Sequence, residues 1–290
     1  MTLPGMKPIE IDGVRREIFD SGDGEPVVFI HGGGSIECHA VLREPTLADH
    51  YRLVHFHRAG YGKSELRSRD SSFEQQAADC RAVLQYLEIE RAHFVGESVG
   101  GSILLQYVLD YPETVQSIML LEPVLPNVIG DAPEIGETLT KAGELYDTGR
   151  AEEAIDVFFQ EVAGSNYATL LERTMEPGWF SELVGDAVGM FEADGSALQS
   201  WSFTAEDAAR IRKPTLNMSG EDTRYYFRAC FEAIADWIPH AESLILPGTT
   251  HCMLETNPGG AAERLADFIS QHPIADRAHE TISPTRQRSI

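Results

Sequence analysis

A chain of 290 residues is long enough to bury one large core, or a core carrying an inserted unit. Its 46 acidic against 23 basic residues give a formal net charge of −23, a surface that repels phosphate backbones and anionic membranes and argues against a nucleic-acid or membrane partner. There is no run of about 18 apolar residues to span a bilayer, and the opening MTLPGMKPIEIDG lacks the basic-then-apolar pattern of a secretory signal, so a cytoplasmic location is the expectation.

In chain order, Val14 to Phe19 alternates as an early antiparallel strand does. Pro26 to His31 is a β-branched run ending in Gly32-Gly33-Gly34, the pattern of a buried parallel strand feeding a loop. Tyr51 to His57 reads as the next strand and Phe73 to Leu87 as a helix. The short strand Ala92 to Val95, the helix Val99 to Leu109 and the strand Ser117 to Leu121 follow. This rhythm predicts an α/β fold, with a parallel sheet covered on both faces.

From about Pro123 to Arg212 the strand signal disappears. Helical patterns over Ile135–Tyr146, Ala151–Val162, Tyr167–Met175 and Phe180–Phe191 make an insertion too long to be a loop. Strand grammar resumes at Pro214–Gly220, with a helix over Tyr225–Trp237, a strand over Glu242–Leu246 and a last helix over Pro258–His272. The expected organisation is a core of residues 1–122 and 213–272, a helical cap of 123–212 and a polar tail of 273–290. Cys38, Cys80, Cys230 and Cys252 are scattered with no C-x-x-C pair, so they read as free thiols and not as a disulfide frame or zinc site.

Three motifs carry chemistry. Gly96-Glu97-Ser98-Val99-Gly100 lies between a strand and a helix, where small neighbours allow a sharp turn that lifts the Ser98 hydroxyl above the sheet as a nucleophile. The helix that follows offers backbone N–H groups to a developing negative charge. His31-Gly32-Gly33-Gly34 can supply a second donor, which assigns an oxyanion hole to the N–H groups of Gly33 and Val99, with Gly34 the fallback; His31 itself reads as structural. A phosphate loop is excluded because no Gly-Lys-Ser/Thr follows. His251, in the Pro247–His251 loop after the last strand, is the candidate general base.

With Arg58-Ala-Gly-Tyr-Gly-Lys-Ser64 added, these pieces resemble the α/β-hydrolase superfamily from about Gly13 to His272. The resemblance implies an eight-stranded, mostly parallel sheet, a nucleophile after strand five, a cap formed by the Pro123–Arg212 helices, and no cofactor. His57 departs from the family, which usually carries an acid there. His55 and His57 share a strand face, so a metal pair is conceivable, but packed strand-end histidines are the expectation and no metal is assigned.

The family commonly places the triad acid three residues beyond a glycine after strand seven, but here Gly220-Glu-Asp-Thr223 puts threonine at that position and Asp222 one residue off. The alternative is Glu122, directly after the apolar Ile118–Leu121 run and 24 residues past Ser98, a spacing similar to strand-six acids and to zearalenone-type lactonases. Glu122 is favoured, and Asp222 stays open. A serine nucleophile argues against dehalogenase and epoxide-hydrolase chemistry. The expected reaction is hydrolysis of an ester or lactone of a medium-sized hydrophobic small-molecule substrate through an acyl-serine. Phe158, Phe159, Tyr167, Trp179, Phe180, Phe191 and Trp201 supply the cap's apolar bulk, with Val99 and Met253 near the site. Carbon–carbon bond hydrolysis, with Arg150 or Arg173 binding an acid group, and a slow-turnover ligand receptor are the alternatives. Homo-oligomerisation is compatible with the sequence and not specified by it.

Overall fold

The computed structural model describes residues 3–66, 68, 71–130 and 132–274, so the tail expected over 273–290 lies almost wholly outside the described residues. The apolar runs of the first third become β3 (Pro26–Ile30), β4 (Arg52–Phe56), β5 (Ala92–Glu97) and β6 (Val115–Leu121). Later come β7 (Thr215–Gly220) and β8 (Glu242–Leu246). An antiparallel pair, β1 (Lys7–Ile11) and β2 (Val14–Ser21), completes an eight-stranded sheet in the order β1-β2-β4-β3-β5-β6-β7-β8, parallel from β4 onward. The eight-stranded α/β sheet expected from the resemblance is therefore present. The sequence reading missed β1, because a mostly exposed edge strand has little apolar signal.

Central strands are buried at almost every position because both faces are covered. Val28 and Ile30 enter one core layer while Val27 and Phe29 enter the other, following the two-residue period of a strand. The first layer is packed by α1 (Phe73–Tyr86) and α2 (Val99–Asp110), for example through Phe73, Ala77, Ile103 and Leu104. Each such fully buried aliphatic or phenyl side chain contributes roughly 1.5–3 kcal/mol relative to exposure. Ser72 caps α1 by accepting from the Gln75 N–H.

Between β6 and β7 the described residues are helical or irregular and contain no strand. The main helices are α3 (Pro133–Asp147), α4 (Ala151–Ala163) and α5 (Trp179–Gly185). The helix read over Tyr167–Met175 stops at Leu171, and the one read over Phe180–Phe191 breaks after Gly185 and resumes as a π-helical segment, Gly189–Asp194. Beyond this insertion, α6 (Tyr225–Trp237) adds to the first layer through Phe227 and Ile234, and α7 (Pro258–Ser270) covers the opposite layer through Leu265 and Phe268.

The π segment sets how the inserted helices dock. It delivers Asp194 to Arg58, whose guanidinium donates to both carboxylate oxygens at 2.6 and 2.8 Å. Both side chains are buried, and Tyr61 and Gln76 donate to the same carboxylate. Nearby, Asp186 accepts from the Ser35 and Gly62 N–H groups at 2.7 and 2.8 Å. Removing one member of a buried ion pair strands the other charge. Asp194→Ala is therefore expected to lower the unfolding free energy by about 3–5 kcal/mol in urea titrations. Arg150→Ala, in an exposed pair with Glu153, is expected to leave the midpoint unchanged.

Candidate active site

Ser98 follows β5 and is partly exposed, whereas residues 92–97 and 99–105 around it are buried. Its backbone is held at φ 54°, ψ −125°, a conformation that costs a non-glycine residue energy and persists only where the surroundings impose it. The Ser98 N–H donates to Leu121 O at 2.9 Å. The crowding that calls for glycine on both sides is visible: a Cβ on Gly32 would sit 2.8 Å from Ser98 Cβ, and one on Gly100 would strike the Ile30 carbonyl. The glycine loop after β3 thus lies directly against the nucleophile candidate, and Val99 opens α2 beside it.

Glu97 pairs with Leu121 across β5 and β6, so Ser98 and Glu122 leave neighbouring strands at the same level. Glu122 also adopts a positive φ, 46°. Its carboxylate is fully buried. One oxygen accepts from Ser219 Oγ at 2.6 Å and Gly220 N–H at 2.9 Å, the other from Thr223 Oγ1 at 2.8 Å and His251 Nδ1 at 2.6 Å. His251 enters from the loop after β8, and its ring lies flat on Phe227 of α6, centroids 3.6 Å apart and planes 4° apart. A histidine whose Nδ1–H is given to a carboxylate presents a bare Nε2, the state that can take a proton. Asp222, by contrast, is exposed, its N–H held by Thr249 O. Thr223 occupies the position where the family commonly carries its acid, and its hydroxyl serves Glu122 instead.

Several residues here carried no separable sequence signal. Arg58 binds the carbonyls of His31 at 3.1 Å and Gly32 at 2.5 Å, fixing the glycine loop from below while gripping Asp194. His31 is structural, accepting from the Arg58 N–H at 3.1 Å. From above, Met190 and Phe158 come within 3.2 and 3.8 Å of a Cβ placed on Gly33, and Leu183 closes over Gly34. Of the aromatics in the insertion, Phe159, Tyr167 and Trp179 are buried in helices, Trp201 packs just past a helix end against Phe73 and Phe203, and Phe158 approaches the glycine loop. Met253 is fully buried in the layer under α7, and its N–H donates to Glu97. Arg150 and Arg173, the candidate acid-binding arginines, are both exposed.

Two buried polar clusters flank the site. Glu37, Glu97 and Glu255 bring carboxyl oxygens within 4.8 Å of one another. Glu37 also accepts from the Gly32 N–H at 2.5 Å. Burial pushes the Glu37 carboxyl up to about 8 and raises Glu97 and Glu255 as well. On the other side His31, His39, His55 and His57 pack ring against ring. Burial pushes His39 down to about 2 and His55 to about 3, while the hydrogen bond from His57 holds Glu17 at about 2. The four cysteines are free and buried.

The chain belongs to the alpha/beta hydrolase fold family, whose family model matches residues 25–258. It is similar to 2-hydroxymuconate semialdehyde hydrolase of Pseudomonas sp. (strain CF600), 27% identical over 278 residues, 91% of this chain and 93% of that one. It is also similar to the dihydrolipoyllysine-residue acetyltransferase component of the acetoin cleaving system of Cupriavidus necator, 36% identical over 131 residues. That match spans 44% of this chain and only 34% of the relative. Among solved structures, Est816, described as an N-acyl homoserine lactone degrading enzyme, aligns with a TM-score of 0.70 at 24% identity, over 91% of this chain and 100% of that one. No helix among the described residues is long and apolar enough to cross a membrane.

Glu37 yields a prediction with a definite sign. Its folded pKa of about 8 lies above the usual 4.5, so between those values the native state holds a proton that the unfolded chain has released, and stability falls as pH rises. One such proton accounts for at most about 1.4 kcal/mol per pH unit. Glu37→Gln should therefore flatten the decline of Tm with pH across that window, and an unchanged slope would show that Glu37 is already ionised.

Proposed function

We propose that the protein hydrolyses an ester or lactone of a medium-sized hydrophobic small molecule through an acyl-serine. Ser98 is the nucleophile, His251 the general base and Glu122 the acid, with Gly33 and Val99 N–H as the oxyanion hole. The observation that carries this is the 2.6 Å hydrogen bond from His251 Nδ1 to Glu122, a carboxylate with every other contact satisfied. Ser98 Oγ bonds to the acyl carbon as its proton passes to His251 Nε2, which then protonates the leaving oxygen. Water loses a proton to the same nitrogen, attacks the acyl-enzyme and restores Ser98. For a lactone the leaving oxygen stays tethered to the acyl group, and one ring-opened hydroxy acid is released. No metal or cofactor is needed for these steps.

The apolar contacts of Phe158, Met190 and Leu183 above the glycine loop support a hydrophobic acyl or lactone moiety. Carbon–carbon bond hydrolysis is the second reading, favoured by the nearly full-length similarity to a semialdehyde hydrolase. The outward placement of Arg150 and Arg173 leaves it without the cap cation that an acidic dienol would call for.

Intact mass after fluorophosphonate treatment should show one adduct on wild type and none on Ser98→Ala; an unlabelled, folded wild type would refute an activated serine. Glu122→Gln should reduce kcat by up to about 10⁴-fold, while Asp222→Asn stays near wild type. If the two effects are reversed, the acid is Asp222.

Acyl-chain dependence tests the substrate class. Along p-nitrophenyl acetate, butyrate and hexanoate, kcat/KM should rise by up to about fourfold for each methylene that becomes buried. Phe158→Ala and Met190→Ala should weaken that rise. A preference for acetate would overturn the hydrophobic assignment, and faster turnover of a dienol ketone than of any ester would favour the second reading.

A further inference from the structure

The histidines on the far side of the glycine loop have a geometry that ring packing alone does not require. His55 and His57 lie two residues apart at the end of β4, on one face, and His39 reaches them from the segment after the glycine loop. One nitrogen from each lies within 4.8 Å of one from each of the others. All three side chains are more than nine-tenths buried. His39 Nε2 and His57 Nε2 are both buried and make no hydrogen bond. Two orphaned ring nitrogens in one cluster are unusual, because a buried polar atom without a partner costs about 1–3 kcal/mol.

The tautomers sharpen the point. His57 Nδ1 is 3.1 Å from Glu17 Oε2, so in the neutral ring the proton sits on Nδ1 and the lone pair is on the orphaned Nε2. A carboxylate behind a histidine in this way is the arrangement that orients metal-ligating imidazoles and raises their basicity. His55 faces a carbonyl from each nitrogen, Phe29 O at 3.3 Å and Ser35 O at 3.2 Å. A neutral ring has only one N–H, so its other nitrogen turns a lone pair toward a carbonyl oxygen, an acceptor–acceptor contact that a cation between them would relieve.

We propose that His39, His55 and His57 form a binding site for a divalent transition-metal ion of the zinc class, separate from the hydrolytic centre. Three imidazoles suit such an ion at about 2.0–2.1 Å, with the Ser35 carbonyl or a water as fourth ligand. Tetrahedral ligation at that distance sets the nitrogens roughly 3.4 Å apart, within the 4.8 Å that bounds their spacing. A narrow cleft between the 36–43 segment and the inserted helices, lined by Ile36, His39, Arg43, Met175 and Trp179, reaches His39. The ion would pin the segment after the glycine loop to β4, close to where the Ser35 N–H holds Asp186. Its role is to stiffen that corner, and no bond of the substrate is made or broken there.

The test uses the tag-free full chain, stripped with a chelator and titrated with cobalt(II) while visible absorption and bound metal are measured. The expected result is one equivalent bound with the strong visible bands of tetrahedral cobalt, displaced by zinc. Binding should weaken at least tenfold in His39→Ala and in His57→Ala. It should be retained in His251→Ala, which separates this site from metal captured by the catalytic loop, and in His240→Ala at an exposed position. Absence of stoichiometric binding by folded wild type, or binding indifferent to His39→Ala and His57→Ala, overturns the proposal. Should either variant fail to fold, X-ray absorption on zinc-loaded wild type decides: three imidazole nitrogens at about 2.0–2.1 Å support the site, and fewer than three reject it.

Discussion

A fully buried carboxylate cannot exist in an apolar setting without several donors turned toward it, and Glu122 has four: two hydroxyls, one backbone N–H and one imidazole. They come from β7, the turn after it and the loop after β8, so the demand of one charge draws the carboxyl ends of three strands to a common point. The left-handed backbone of Glu122 follows from the same demand, since the residue must turn out of β6 immediately to face β7. His251 is then held on two sides, by the carboxylate in the ring plane and by Phe227 against its face. Thr223 and Phe227 take no part in bond making in the proposed chemistry; Thr223 holds Glu122 and Phe227 holds His251.

A second constraint couples the glycine loop to the inserted helices. One buried guanidinium, that of Arg58, binds two carbonyls of the loop and the Asp194 carboxylate together. Any movement that lifts the helices from the core must break this pair and uncover a charge. The loop that would receive an oxyanion is thus rigid only while the helices above it are seated. The π-helical segment is what places Asp194 in reach, consistent with the tendency of π segments to occur where a helix has been re-aimed for a purpose.

The two clusters flanking the loop are opposite electrostatic solutions. On one side three carboxyls crowd together and hold protons that exposed carboxyls would release. On the other side buried imidazoles shed theirs and present lone pairs. Both follow from the same fact: charge is expensive where water is excluded.

Much of this was legible in the residues alone. Short unbroken apolar runs such as Val27–Ile30 and Ile118–Leu121 read as strands covered on both faces, and Gly-x-Ser-x-Gly between a strand and a helix marks its own sharp turn. Even the charge at position 122 stood out, because it ends such a run. What the chain could not declare was partnership at a distance. Glu122 and Asp222 were both in contention for His251, and the choice rests on which strand end faces the histidine loop 129 residues after Glu122. Asp186 and Asp194 look like ordinary helix carboxylates until the fold sets them beside Ser35, Gly62 and Arg58. Periodicity records which face of an element is buried; it carries no information about what that face will meet. That is decided only when segments more than a hundred residues apart are packed closely enough for a hydrogen bond to form or fail.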